Sequence, residues 1–162
     1  MITRIEANRF RCLRHVNQDL GAFHVLVGPN ASGKTTFLDT VGFLERMVSD
    51  GIDAAVTERT SNFADLVWGR EGTTFELAVE AAVPDHCREK LNSPFTSFRY
   101  EIEVGVDEET RQAGILNERA WLQQPVNETA KTEQRADFPL DRNPPQTILT
   151  MRDAGYQLVL CK

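Results

Sequence analysis

The spacing of apolar residues changes character along the chain, and each change predicts a different element. Ile2 to Phe10 reads as a strand, and Ala22 to Val27 is a short, nearly unbroken apolar run of the kind buried in the middle of a sheet. Then Phe37, Val41, Leu44 and Val48 recur at helical spacing, which predicts an amphipathic helix from about Gly33 to Ser49, ended by Asp50-Gly51. From residue 73 the period falls to two. Phe75, Leu77, Val79 and Ala81 form one strand face, and Phe98, Tyr100, Ile102 and Val104 form another. Ile115 to Leu122 predicts a further strand, and Ile148 to Met151 with Tyr156 to Cys161 predicts a hairpin around Asp153-Ala154-Gly155. Pro84 to Leu91 reads as a short helix with proline suited to its first turn. The polar stretch from Gln124 to Gln146, carrying Pro125, Pro139, Pro144 and Pro145, reads as a long loop. The expected organisation is one domain over residues 1–162, with a strand-loop-helix core at 1–52 and a mainly antiparallel β region at 73–162. The last strand stops at Cys161-Lys162 without a closing element, as in a chain cut short.

Between the second strand and the helix lies Gly28-Pro29-Asn30-Ala31-Ser32-Gly33-Lys34-Thr35, a match to the P-loop pattern of glycine, four residues, glycine, lysine and threonine. Each position has a mechanical reason. Gly28 allows a sharp turn out of the strand, and Gly33 allows close approach of the backbone. Amides from about Asn30 to Thr36 then converge as an anion nest at the positive end of the helix dipole. Lys34 adds a point charge for terminal phosphates, the Thr35 hydroxyl is placed to ligate Mg2+, and Thr36 suits a further phosphate contact. At average composition the four fixed positions arise by chance in about 0.5% of chains this long. Falling between an apolar strand and an amphipathic helix makes the match more specific still. ATP and Mg2+ are the expected ligands.

A hydrophobic content of 41%, a charged content of 26% and the lack of any apolar run near membrane length describe a soluble protein without a membrane role. Charges at Arg4 and Glu6 leave no room for a signal core, and the cytoplasm is the default compartment. Cys12, Cys87 and Cys161 are too few and too widely spaced for a disulfide framework or a zinc knuckle. A net charge of -6 excludes a chain that coats nucleic acid over its whole surface. Arg4, Arg9, Arg11 and Arg14 crowd the start against Glu6, while Glu101, Glu103, Asp107, Glu108 and Glu109 form an acidic stretch; both read as solvated faces. His24 reads as a packed strand residue, and Trp68 and Trp121 as core or interface residues.

The opening Ile2-Thr3-Arg4-Ile5, then Asn8-Arg9-Phe10-Arg11, a short second strand, and Val25-Leu26-Val27 running into the P-loop resemble ABC-type ATPase heads of the SMC, RecF and overcoming-lysogenization-defect (OLD) families. These are AAA family ATPases that include components of bacterial anti-phage systems. Phe63-Ala64-Asp65-Leu66-Val67-Trp68-Gly69 and the later strands look like the antiparallel subdomain of such heads. The resemblance implies an α/β P-loop NTPase fold, namely an ABC-ATPase-like N-terminal lobe with an antiparallel β subdomain, incomplete here. It implies ATP binding in DNA repair or anti-phage defence. The partners would be a C-terminal ATPase lobe or a second copy of the head in a homodimer, an effector protein, and nucleic acid through the complete assembly. Arg11 matches the basic position after the phenylalanine of the first strand, where it would approach the nucleotide or DNA, although surface charge is the commoner reading.

The Walker B acids, signature and switch histidine of these families have no clear counterpart. Val104-Gly105-Val106-Asp107-Glu108 imitates Walker B, but Glu101 and Glu103 break the apolar run, so it reads as a solvated edge strand. The catalytic residues are therefore unassigned, and the chain alone is expected to bind ATP without efficient hydrolysis. Two other classes compete. A nucleotide-gated module would sense ATP without turnover, and a P-loop small-molecule kinase would need an arginine-bearing lid after a helical substrate region.

Overall fold

The computed structural model describes residues 1–91, 94–107, 109, 112–124, 147–152 and 155–158. The long proline-bearing loop, the turn residues Asp153 and Ala154, and Cys161 lie outside them. Strands β1 (Ile2–Phe10), β2 (Leu13–Asp19), β3 (Thr74–Ala82), β4 (Ser97–Val106), β5 (Ala113–Gln123), β6 (Thr147–Arg152) and β7 (Gly155–Leu158) form one sheet in the order β2-β1-β3-β4-β5-β6-β7. Every adjacent pair is antiparallel. Helix α1 spans Lys34–Asp50, α2 spans Ile52–Thr57 and α3 spans Asp85–Leu91; short 3-10 turns occupy Phe63–Leu66 and Trp68–Arg70. No described helix is long and apolar enough to cross a membrane.

Register decides which face of the sheet is dry. Ala7 stands opposite Leu77, Leu77 opposite Ile102, and Phe75 opposite Val104, so these side chains share one face. Phe37, Phe43, Leu44 and Met47 of α1 and Ala55 and Val56 of α2 are buried with them in one core. The buried stripe of α1 runs through Phe37, Thr40, Phe43, Leu44 and Met47, rather than through Val41 and Val48 as the spacing suggested. Val48 is exposed, because Phe43 and Met47 supply more contact area toward the sheet. Gly51, at φ 89, ends the helix by donating its N–H to Met47 O at 2.9 Å, and α2 follows at once.

The polar face departs from expectation. Arg4, Glu6 and Glu101 belong to charge runs that read as solvated faces, yet all three are buried, and Arg99 is buried with them. Cross-strand register explains it: Arg4 faces Glu80, Glu80 faces Arg99, and Glu6 and Glu101 flank Ala78. Arg99 bonds Glu6 at 2.8 and 3.0 Å, Glu80 at 2.8 Å and Glu101 at 2.7 Å, and Arg4 pairs with Glu6 at 2.6 Å. Arg99 also lies 5.8 Å from the ring centroid of Trp121, which is buried as expected. Strand β4, expected at an edge, lies between β3 and β5. Its acids are tolerated inside the sheet because arginines pair with them.

The strand expected at Ala22–Val27 is not formed. Residues 21–30 are exposed, with Phe23 at 83% and Val27 at 89%, and the segment joins no strand of the sheet. His24 is accordingly a surface residue, not a packed one. An apolar run reads as a buried strand only when neighbouring strands are there to cover it, and no described strand pairs with this segment.

Phe10, Phe43 and Phe75 meet with ring centroids 5.0–5.7 Å apart, and Phe63 stacks on Phe75 at 5.8 Å. Phe10 is fully buried. Phe10→Ala should lower unfolding free energy by about 3–5 kcal/mol with an unchanged slope in urea; a loss under about 1 kcal/mol would contradict this account of the core.

Candidate nucleotide-binding site

The N-terminus of α1 carries no side-chain cap. Phe37 is the first residue whose N–H bonds back into the helix, to Gly33 O at 2.8 Å, which leaves the amides of Gly33, Lys34, Thr35 and Thr36 without intrahelical acceptors. Those amides, with the dipole behind them, form a ready anion site. The turn preceding them depends on two left-handed residues, Ala31 at φ 63 and Gly33 at φ 91. Gly28 was expected to need unusual angles, but its φ lies outside the left-handed range. A Cβ there would meet the Ser32 side chain, with the movable Oγ at 2.9 Å.

Gly33 has a second constraint that sequence reasoning missed. A Cβ on it would come within 3.1 Å of Leu13 Cδ2 and 3.3 Å of Cys12 Sγ. Besides taking its left-handed φ, the glycine lets the β1–β2 hairpin press against the loop. That hairpin is stitched in place. Arg11 donates its N–H to Leu66 O at 2.8 Å, Phe10 forms a bridge with Val67, and Cys12 Sγ lies 3.2 Å from Thr36 Oγ1.

A cavity of about 590 Å3 opens over the loop, lined by Asn30 to Thr36, Arg11 and Cys12 on one side and by Asp65, Val67, Gly69 and Arg70 on the other. Of the residues expected at the site, Asn30, Ala31, Ser32, Gly33, Lys34, Thr35, Thr36 and Arg11 are thus gathered together. Gly28 and Pro29 stand behind the lining and contribute carbonyls. The Lys34 ammonium donates to Gly28 O at 2.9 Å and Pro29 O at 2.7 Å, and lies 3.3 Å from Ser32 Oγ. All three of its N–H groups are engaged, so contact with a phosphate requires exchange of at least one loop acceptor.

Cys12, Asp65, Gly69 and Arg70 were not foreseen as lining residues. The one sequence signal for the last two is the glycine in Trp68-Gly69-Arg70, where Gly69 and Arg70 both take positive φ. Arg70 pairs with Asp65 at 2.8 Å. The lining therefore holds three cations, Lys34, Arg11 and Arg70, against the single carboxylate of Asp65. A second cavity of about 740 Å3, lined by residues such as Thr57, Asn62 and Gln112, has Asp53 as its only charged lining residue among those described. Charge thus favours the first cavity for a polyphosphate.

Just outside the lining, Asp39 of α1 accepts bonds from Arg11 at 2.9 Å and from Arg59 at 2.6–3.0 Å. Burial on its own would raise the Asp39 carboxyl, but the two guanidiniums, Arg59 foremost, outweigh it and hold the group below its usual range. A lowered folded-state pKa gives stability that is present above the unfolded value and lost as pH falls through the folded one. The stability gap between wild type and Asp39→Asn should therefore be full at neutral pH and close below about pH 4. Urea titrations across pH check this, and a gap that persisted unchanged in strong acid would contradict it.

The comparisons with known proteins agree with this geometry. A 41-residue stretch is 42% identical to the OLD nuclease of Thermus scotoductus (strain ATCC 700910 / SA-01), covering 25% of this chain and 8% of that relative's length. In fold, the chain is similar to a solved chain from work on the structural biochemistry of ATP-driven dimerization and DNA-stimulated activation of SMC ATPases. The TM-score is 0.50 at 19% identity, over 76% of this chain and 69% of that one. At that identity the likeness shows the fold alone, a P-loop NTPase-like one. A family model matches residues 23–153, and the chain belongs to the family described as AAA domain, putative AbiEii toxin, Type IV TA system.

Proposed function

We propose that this chain is the ATP-binding N-terminal portion of an ABC-type ATPase of the SMC, RecF and OLD kind, acting in DNA repair or anti-phage defence. One observation carries the reading: the uncapped first turn of α1 presents free amides to a cavity whose charged lining is three cations and one carboxylate. That is the arrangement a triphosphate needs, because convergent N–H groups and fixed cations stabilise oxygens whose charge is spread over several atoms. The backbone from Asn30 to Thr36 would hold the phosphates and Lys34 would reach the terminal ones. Arg11 would approach from the hairpin.

The Thr35 hydroxyl, in the same lining, is the group that would hold Mg2+, which neutralises phosphate charge when bound. The matched OLD nuclease is far longer than the stretch it shares with this chain, and the activity of the complete assembly is part of the proposal. Phosphoryl transfer to water also needs a residue that orients the attacking water. We assign that role to a C-terminal lobe or a second head.

The segment Phe23–Val27 supports a further covering element. An exposed apolar run that leads directly into the P-loop invites pairing with another strand. A C-terminal ATPase lobe or a second copy of the head would cover it, and the complete assembly in the cytoplasm would engage an effector protein or nucleic acid. ATP-driven dimerization is a property of the SMC protein matched in fold; here it supplies a model for how nucleotide would gate assembly.

Calorimetry with Mg-ATP should give saturable binding by the wild type. Lys34→Ala should weaken it by about 10–100-fold, the worth of a charge-assisted contact. Phosphate release by the isolated chain should stay below about 1 s-1, the low end of ordinary enzyme turnover. Ordinary turnover would overturn the assignment of the water-orienting residue to another element, and absence of ATP binding would overturn the reading as a whole.

A further inference from the structure

We propose that Asp39 and Arg59 form a positioning pair that holds the Arg11 guanidinium at the phosphate end of the P-loop cavity, an inference that rests on the nucleotide-binding reading above. The starting observation is backbone strain. Phe10 pairs with Leu13, so Arg11 and Cys12 make a two-residue hairpin loop, and Arg11 takes φ 53 at its first central position. Positive φ there favours glycine, as in type II′ turns. A long charged side chain at such a site points to a use for that side chain rather than for the turn.

The hairpin tip has little freedom to move. Its backbone is bonded to Leu66, its neighbour Phe10 is fully buried, and Leu13 packs against Gly33. Only the direction of the guanidinium is left to be set, and Asp39 sets it through a 2.9 Å bond from Nη1. Among the described residues this is the one side-chain bond that Arg11 makes, so its other N–H groups are spare donors beside the cavity that it lines.

Asp39 is itself immobilised. Arg59 grips both carboxylate oxygens, from Nε at 3.0 Å to each and from Nη2 to Oδ1 at 2.6 Å. Arg59 in turn donates from Nη1 to Ala55 O at 3.0 Å and lies 5.2 Å from the Phe43 ring centroid. The carboxylate offsets one guanidinium and leaves the trio with a net positive charge. Arg11 is therefore oriented without being neutralised, as a group awaiting an anion must be.

The test is a double-mutant cycle with Mg-ATP as probe, followed by calorimetry, with a melting temperature recorded for each variant. Arg11→Gly suits the turn, and should leave the melting temperature unchanged or raised while weakening ATP binding about tenfold. Asp39→Asn should weaken binding to a similar degree in the wild-type background. It should cause little further loss in the Arg11→Gly background, because its effect runs through Arg11. If Asp39→Asn does not fold, Arg59→Lys takes its place in the cycle with the same expected pattern.

Two results would overturn the proposal while leaving the nucleotide reading intact. In one, Arg11→Gly binds ATP as the wild type does although Lys34→Ala has lost it. In the other, the Asp39 substitution costs the same affinity with and without Arg11, which marks a merely structural role. A wild-type chain that binds no ATP would remove both readings together.

Discussion

The contact between Phe10, Phe43 and Phe75 is the constraint from which the rest of the site follows. These three rings come from β1, α1 and β3, so their mutual packing fixes the P-loop helix against the sheet at one place. Phe10 is the last residue of β1, and its burial stations the hairpin tip one residue later. Phe63, stacked on Phe75, carries the same constraint into the segment that supplies Leu66, Val67 and Arg70. The two walls of the cavity thus share an aromatic anchor. Dense packing of this kind transmits displacement instead of absorbing it, which suits a site whose amides and cations must converge on one anion.

Helix and sheet place the charges by different means. On the core face, apolar side chains pack; on the other face, buried arginines and glutamates meet within and across strands. That ionic layer is expensive to bury and stable only while its partners stay matched. Asp39 with Arg11 and Arg59 repeats the same logic at the helix. The apolar run before the P-loop obeys neither pattern, being exposed and unpaired, and its physical demand is for a covering strand.

Much of this was legible from the residues because it was local. Period-two alternation gave β3, β4 and β5, helical spacing gave α1, and the fixed positions of Gly28, Gly33, Lys34 and Thr35 marked the loop. What failed was set by distant neighbours. Ala22–Val27 reads as a buried strand from composition, yet burial depends on partners that composition does not supply. Phe43, Met47 and Thr40 displaced Val48 from the helix core because the sheet lies on that side. Glu101 reads as a surface charge from its acidic neighbours, yet register puts it opposite Arg119 and it accepts a bond from buried Arg99. Asp65 and Arg70 entered the cavity through a fold-back near Gly69 that has no periodicity to announce it.

The central claim is that the first-turn amides of α1 are the receptor for a polyphosphate, and amide NMR of the chain during a Mg-ATP titration tests it most directly. Saturable shifts should be largest at Gly33, Lys34, Thr35 and Thr36 and should extend to the Arg11 side chain. Shifts confined to other regions, or none at those four amides at saturating nucleotide, would contradict the account.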